Sequence, residues 1–173
     1  MKYTKVMDVK DPCGNRREDA GIDFFIPNDW NNGKPMLLRI GEQVNIPTGI
    51  KIKLKANQCM IMENKSGVAL KKGVTRGSCV IDSSYRGVIH VDLHKGVKGT
   101  QDIRVRKKGF WGFIQVLFGI KTWATVLTPG EKIIQGIIYP ISTENVDEVT
   151  NKTYDGYSKT ERGEGGFGST GTK

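Results

Sequence analysis

No apolar run in this chain keeps one period for long. Short stretches of alternating apolar and polar residues follow one another, each cut within about ten residues by glycine, proline or asparagine. Residues 87–93, Gly-Val-Ile-His-Val-Asp-Leu, alternate with period two, so one face of an extended strand there is apolar and the other polar. KYTKVMDV, DFFIP, PMLLRI, QVNIPTGIKIKL, QCMIME, CVID, ATVLT and KIIQGIIYP read as further strands, with PNDWNNGKP and TPGEK among the turns between them. A strand can bury such a face only against another sheet, so many short strands predict an all-β, jelly-roll-like barrel.

One segment breaks the pattern towards helix. SGVALKK, residues 66–72, is followed by Gly73, which suits a left-handed C-cap, and Ser66 suits an N-cap. The predicted fold is therefore all-β with one short helix. From residue 142 the chain turns polar and charged and ends in the glycine-rich RGEGGFGSTG, which predicts a C-terminal arm over 142–173 on a single domain of 1–173. Residues 101–127 interrupt the strand-and-turn rhythm with Arg104, Arg106, Lys107 and Lys108 beside Phe110, Trp111, Phe113 and Trp123. They read as an insertion between two core strands, packing its aromatics as a hairpin.

Charge narrows the range of partners. Twenty-seven basic residues against 18 acidic ones give a net charge of +9, which favours an anionic partner. The longest apolar stretch, GFWGFIQVLFGI, falls short of the roughly 20 residues a spanning helix needs, and the N-terminus lacks a signal-peptide apolar run. Cys13, Cys59 and Cys79 form no paired framework, so a reducing, cytoplasmic location with no membrane partner is expected.

Several residues invite chemistry, each with a plainer alternative. Asp82 ends the apolar pair Val80-Ile81, where an Asp is commonly a turn former, yet a carboxylate near a bound phosphate can act as general base. Lys65, Ser66 and Gly67 stand where a helix begins, suited to a cap or to a phosphate. SYRGVIHVDLH reads as a β-hairpin turning near Gly87, whose main chain can recognise a base. In the tail, backbone N–H groups, Arg162, Ser169 and Thr170 can gather phosphate oxygens, or the glycines can simply be loose.

Taken in order, AGIDFF (20–25), NKSGVAL (64–70), CVIDSSYRG (79–87), PGEKIIQGII (129–138) and RGEGGFGSTG (162–171) resemble the five motifs of the trimeric dUTP diphosphatases, the dUTPases. The likeness runs from about Lys2 to the tail and leaves out 101–127. It implies a homotrimer with sites shared between subunits, and hydrolysis of dUTP to dUMP and pyrophosphate with Mg²⁺ carried on the triphosphate. Asp82 would activate the attacking water. Tyr85 would lie under the deoxyribose and reject a 2′-hydroxyl. The backbone around Ile81 and from Tyr85 to His90 would hold uracil.

Lys65, Ser66, Gly67 and Gln135 would meet phosphates, and Asp23 would touch the metal through water. Phe167 would cover uracil while Arg162, Gly168, Ser169 and Thr170 close on the outer phosphates. The chain departs from the pattern at Lys65 (usually Arg), Ser84 (usually acidic), Glu131 (usually Asp) and Asp92. The last stands near the position of a catalytic glutamate in dCTP deaminases, so deamination is the competing chemistry, a solvent-facing strand residue the plainer reading. A regulatory protein acting through a protein or nucleic-acid contact of 101–127 is the competing class. Such insertions occur in some bacteriophage dUTPases, so a bacteriophage origin fits.

Overall fold

The fold is seen in a computed structural model that describes residues 1–14, 18–77, 80–105, 109–118, 122–142, 148–150 and 153–154. In chain order the elements are β1 (Lys2–Lys5), β2 (Ile22–Phe25), β3 (Met36–Arg39), β4 (Gln43–Pro47), β5 (Ile50–Lys53), β6 (Gln58–Glu63), α1 (Ser66–Lys72) and β7 (Val74–Arg76). There follow β8 (Val80–Ile81), β9 (His90–Lys95), β10 (Ile103–Val105), α2 (Phe110–Leu117), β11 (Thr122–Leu127) and β12 (Lys132–Pro140). Among the described residues every pairing is antiparallel, in four sheets: β1–β5, β10–β11–β3, β2–β12–β6–β8 and β4–β9–β7. The mainly β expectation holds, with two short α-helices among the described residues in place of one.

Alternation does the burying. In β5, Ile50 and Ile52 point inward while Lys51 and Lys53 face out, and in β9 Val91 and Leu93 are buried between more exposed neighbours. Phe24, Ile26, Leu38, Ile46, Met60, Ile89, Leu127 and Ile134 meet in one fully buried cluster. At about 1.5–3 kcal/mol per large side chain, this cluster is the main source of stability.

Helix α1 ends as its sequence requires. Gly73 sits at φ +61° and donates its N–H to Ala69 O, and a Cβ there would come within 2.1 Å of Val97 O. The N-cap is Lys65 rather than Ser66, which is the first helical residue, and no side chain caps this end.

Two other expectations change. Residues 82–89 form a loop rather than half of a hairpin, because β8 pairs with β6 whereas β9 pairs with β4 and β7. In the 101–127 stretch β10 and β11 pair antiparallel, as the expected hairpin would, but α2 lies between them, and β11 also pairs with β3 and buries Ala124, Thr125 and Leu127. Its last six residues are thus a strand of the sheet, half of them buried.

Residues Met1–Ser142 form one compact unit and Thr143–Lys173 a second. In the latter, Tyr154 N–H donates to Thr150 O.

Candidate active site

A carboxylate in the first core strand needs partners. In Ile22-Asp23-Phe24-Phe25 all but the first residue are buried, and Asp23 is only 1% exposed. An ionised carboxylate there is costly unless cations meet it. Lys65 Nζ donates to Asp23 Oδ1, and Lys132 Nζ lies 2.9 Å from Oδ2. Burial alone would push the Asp23 carboxyl up, but the bonds from Lys132 and Lys65 outweigh it and hold the group below its ordinary range. The bond to Asp23 in turn raises Lys132.

Sheet register brings the other members in. Asp23 stands opposite Gln135 on β12, and Gln135 stands opposite Glu63 on β6, two residues before Lys65. Gln135 Nε2 donates to Asn64 O at 3.1 Å. A shift in register between Lys132 and Ile134 lets Lys132 reach back to Asp23. Gly21 leaves the space Gln135 uses, since a Cβ there would come within 2.3 Å of Gln135 Oε1. The result is a cleft of about 340 Å³ lined by Asp19, Ala20, Gly21, Asp23, Lys65, Gln135 and Ile137. Ser66 and Gly67 lie exposed on the first turn of α1 beside it in sequence. At the far end of α1, Lys72 meets Glu131 at 3.1 Å, which ties the helix to the turn that carries Lys132.

The remaining candidates gather on a different part of the chain. Ile81 is half-buried opposite Met60, and Asp82 is exposed just beyond it. Asp82 O accepts from Tyr85 N at 3.1 Å, Tyr85 Oη donates to Val88 O at 2.9 Å, and His90 Nδ1 lies 2.9 Å from the same carbonyl. The loop therefore presents the Asp82 carboxylate outward and holds the Tyr85 ring by its hydroxyl.

From Asp23 to Ile81 is three strand spacings across the sheet and three residues along it, roughly 17 Å for a flat sheet. One chain therefore brings together Asp23, Lys65 and Gln135, and separately Ile81, Asp82, Tyr85 and His90. Arg162, Phe167, Gly168, Ser169 and Thr170 lie outside the described residues.

Sequence reasoning missed Lys132 as a partner of Asp23, Asn64 as the acceptor for Gln135, and Asp19 in the cleft wall. Lys132 follows Glu131 within PGEKIIQ, so a cation was visible there. Its reach to Asp23 depends on the irregular β2–β12 pairing, which no local pattern reports.

Among the described residues no group of three or more His, Cys, Asp or Glu side chains could hold a metal. Asp92 faces its own neighbour instead, with His94 Nε2 at 3.0 Å from its Oδ2, and does not line the cleft.

The ion pairing sets a pH dependence. Asp23 is held below its unfolded-state value, so its contribution to stability is present above about pH 3.9 and is lost as pH falls through the lower folded value. Melting temperatures of the wild type and of Asp23→Asn should therefore converge on acidification below about pH 4 and stay apart at constant spacing above about pH 5. A spacing unchanged down to the lowest pH would contradict the assignment.

Comparison with known proteins gives this constellation a context. A family model described as dUTPase matches residues 7–118. The deoxyuridine 5′-triphosphate nucleotidohydrolase of Clostridium tetani is 33% identical over 166 residues, 95% of this chain and 90% of the relative. That of Clostridium kluyveri is 34% identical over 156 residues, 89% and 85% of the two chains. Among solved structures, the Staphylococcus bacteriophage 80alpha dUTPase with dUPNHPP superimposes with a TM-score of 0.73. The match covers 99% of this chain and 98% of the phage protein at 22% identity, a likeness of fold. The dUTPase of phage phi11 of S. aureus, solved to show its species-specific insert, gives 0.66 at 17% identity over 86% and 94%. With a family model spanning most of its length and relatives a third identical over nearly all of it, this chain belongs to the dUTPase family.

Proposed function

We propose that this chain hydrolyses dUTP to dUMP and pyrophosphate, which keeps uracil out of DNA and supplies dUMP for thymidylate synthesis. The observation that carries the reading is the cleft in which buried Asp23 is held by Lys65 and Lys132 with Gln135 beside it. Cations and amide donors converging on one cleft suit phosphate oxygens, and the relatives named for the same reaction supply the substrate.

Within this reading Lys65, Ser66, Gly67 and Gln135 bind phosphates. Lys65 can turn from Asp23 to the substrate without leaving a buried carboxylate alone, because Lys132 keeps its hold. When bound on the triphosphate, Mg²⁺ neutralises phosphate charge. Asp23 suits a contact to it through water: it is ionised and buried, but both its oxygens are already committed to ammonium groups.

Asp82 takes the proton of the attacking water, Tyr85 packs under the deoxyribose, and the backbone around Ile81 and from Tyr85 to His90 reads uracil. Asp82 and the Asp23 cleft are too far apart on one chain for one phosphate to bridge. A second copy that brings its own Asp82 loop to the cleft completes the site, and a homotrimer supplies the Arg162, Phe167, Gly168, Ser169 and Thr170 tail from the third copy. With relatives named as nucleotidohydrolases, the setting we assign is the cytoplasm, that of the host if a bacteriophage encodes the chain.

Product analysis with dUTP, dCTP and UTP side by side tests the reading. The expected result is dUMP and pyrophosphate from dUTP alone. Deoxyuridine triphosphate from dCTP would instead identify a deaminase, and no product from any of the three would leave an inactive homologue. A truncation lacking 162–173 should lose about 10²-fold or more in turnover, since the tail excludes water and completes the phosphate clamp. Its melting curve should be unchanged, and full activity would remove the tail from the site.

A further inference from the structure

Helix α2 leaves its large side chains in solvent. Phe110, Trp111, Phe113 and Leu117, with Phe118 just beyond, are each more than 60% exposed. At 100° per residue, these five and half-buried Ile114 span an arc of about 160° with no polar member. Gln115 lies outside that arc and turns into the protein, buried and donating to Thr122 Oγ1 at 2.7 Å. With aromatic side chains offering about 150–250 Å² each, the exposed area is on the order of 600 Å², at the upper end for a whole monomer surface.

The charge around this arc selects its occupant. Residues 103–130 contain no acidic residue and five basic ones, Arg104, Arg106, Lys107, Lys108 and Lys121. Arg104 is exposed on β10, and Lys98 stands over the Trp123 ring at 3.9 Å. A wide apolar arc rich in Phe and Trp, set in a wholly basic segment, matches the boundary of an anionic bilayer: hydrocarbon takes the rings and phosphate headgroups take the cations. A nucleic acid would use the cations but has no place for Leu117 and three phenylalanines.

We propose that α2 docks the protein onto anionic phospholipid membranes, lying in the headgroup layer rather than crossing it. No helix among the described residues is long and apolar enough to cross. The proposal revises the sequence expectation of no membrane contact, and it is independent of the reaction assigned above. The helix lies in the chain between β10 and β11, and no residue of these three elements lines the Asp23 cleft. Membrane docking would then concentrate the protein at a surface while leaving its chemistry unchanged.

The test is co-sedimentation of the full chain with vesicles of phosphatidylcholine alone or with roughly 30% phosphatidylglycerol, at about 0.1 M and 0.5 M salt. Expected are binding to the anionic vesicles at least tenfold tighter than to neutral ones, weakening at the higher salt, and a blue shift of tryptophan emission that Trp111→Phe reduces. Phe110→Asp/Phe113→Asp, changed only at exposed positions, should lose vesicle binding at least tenfold while its melting curve and dUTP turnover in solution stay as in the wild type. Phe110→Leu/Phe113→Leu should retain binding. Equal binding to both vesicle types, or undiminished binding by the aspartate variant, would overturn the proposal. So would tighter binding to a single-stranded oligonucleotide that the aspartate variant loses. A smaller oligomer in the aspartate variant, without vesicle binding by the wild type, would assign the arc to another copy of this chain.

Discussion

The Asp82→Asn protein is expected to bind dUTP with little change in affinity and to turn it over about 10²–10⁴-fold more slowly. Asparagine keeps the size of aspartate but cannot take a proton from water. The substitution spares the local fold. Asp82 is exposed, and the bond that shapes its loop runs from Tyr85 N to the Asp82 carbonyl, which asparagine also carries. Binding should survive because the phosphate contacts assigned to Lys65, Ser66, Gly67 and Gln135 belong to a separate group of residues. Calorimetry with a non-hydrolysable dUTP analogue separates affinity from rate, and single-turnover measurement places the loss on the chemical step. Unimpaired turnover would move the general base to another residue. A loss of affinity matching the loss in rate would make Asp82 a binding group.

The parts of this architecture that were legible in the sequence depend on neighbours a few residues away. Period two in GVIHVDLH is local, and so are the short apolar run of QCMIME, the SGVALKK helix and its Gly73 stop. Asp23, Lys65 and Gln135 were each visible as chemistry-bearing residues in motif-like surroundings, and they meet in the cleft. Their ion pairs were not visible, because Lys132 reaches Asp23 only through the irregular β2–β12 register. The expected hairpin failed for a related reason: whether β8 pairs with β9 or with β6 is decided by long-range packing that alternation does not encode. Helix α2 hid in an apolar run whose period suits strand or helix equally at that length. The three-residue strands β7 and β10 are too short to show any period.

Lys95 is the position where local reading fails most usefully, and it carries the second large prediction. The alternation of β9 turns Val91, Leu93 and Lys95 to the same buried face, so a lysine occupies a core position. Its side chain and that of Asp102 are both fully buried, with Nζ 2.7 Å from Asp102 Oδ2. Nζ also donates to Lys72 O at 2.6 Å and Val97 O at 3.0 Å, and Asp102 Oδ2 accepts from Gly99 N at 3.0 Å. The pair thus pins the 96–102 loop under the last turn of α1, where Thr100 N and Gln101 N also donate to Leu70 O and Lys71 O.

Removing one member of such a pair leaves a buried charge without its counter-ion, which costs about 3–5 kcal/mol, whereas replacing both by apolar groups is neutral or stabilising. Asp102→Ala should therefore lower the melting temperature by roughly 6–20 °C, at 2–4 °C per kcal/mol for a chain of this size. Lys95→Met/Asp102→Leu should recover most of that loss. The burial of Asp102 Oδ1 without a hydrogen bond strengthens the second expectation, since the native pair already carries an unmet polar atom. A drop of less than about 1 kcal/mol in the single variant would mean that water reaches Lys95 and that the pair behaves like a surface ion pair. A double variant no better than Asp102→Ala would mean that the carbonyl bonds of Lys95, rather than its charge pairing, hold the loop to the helix.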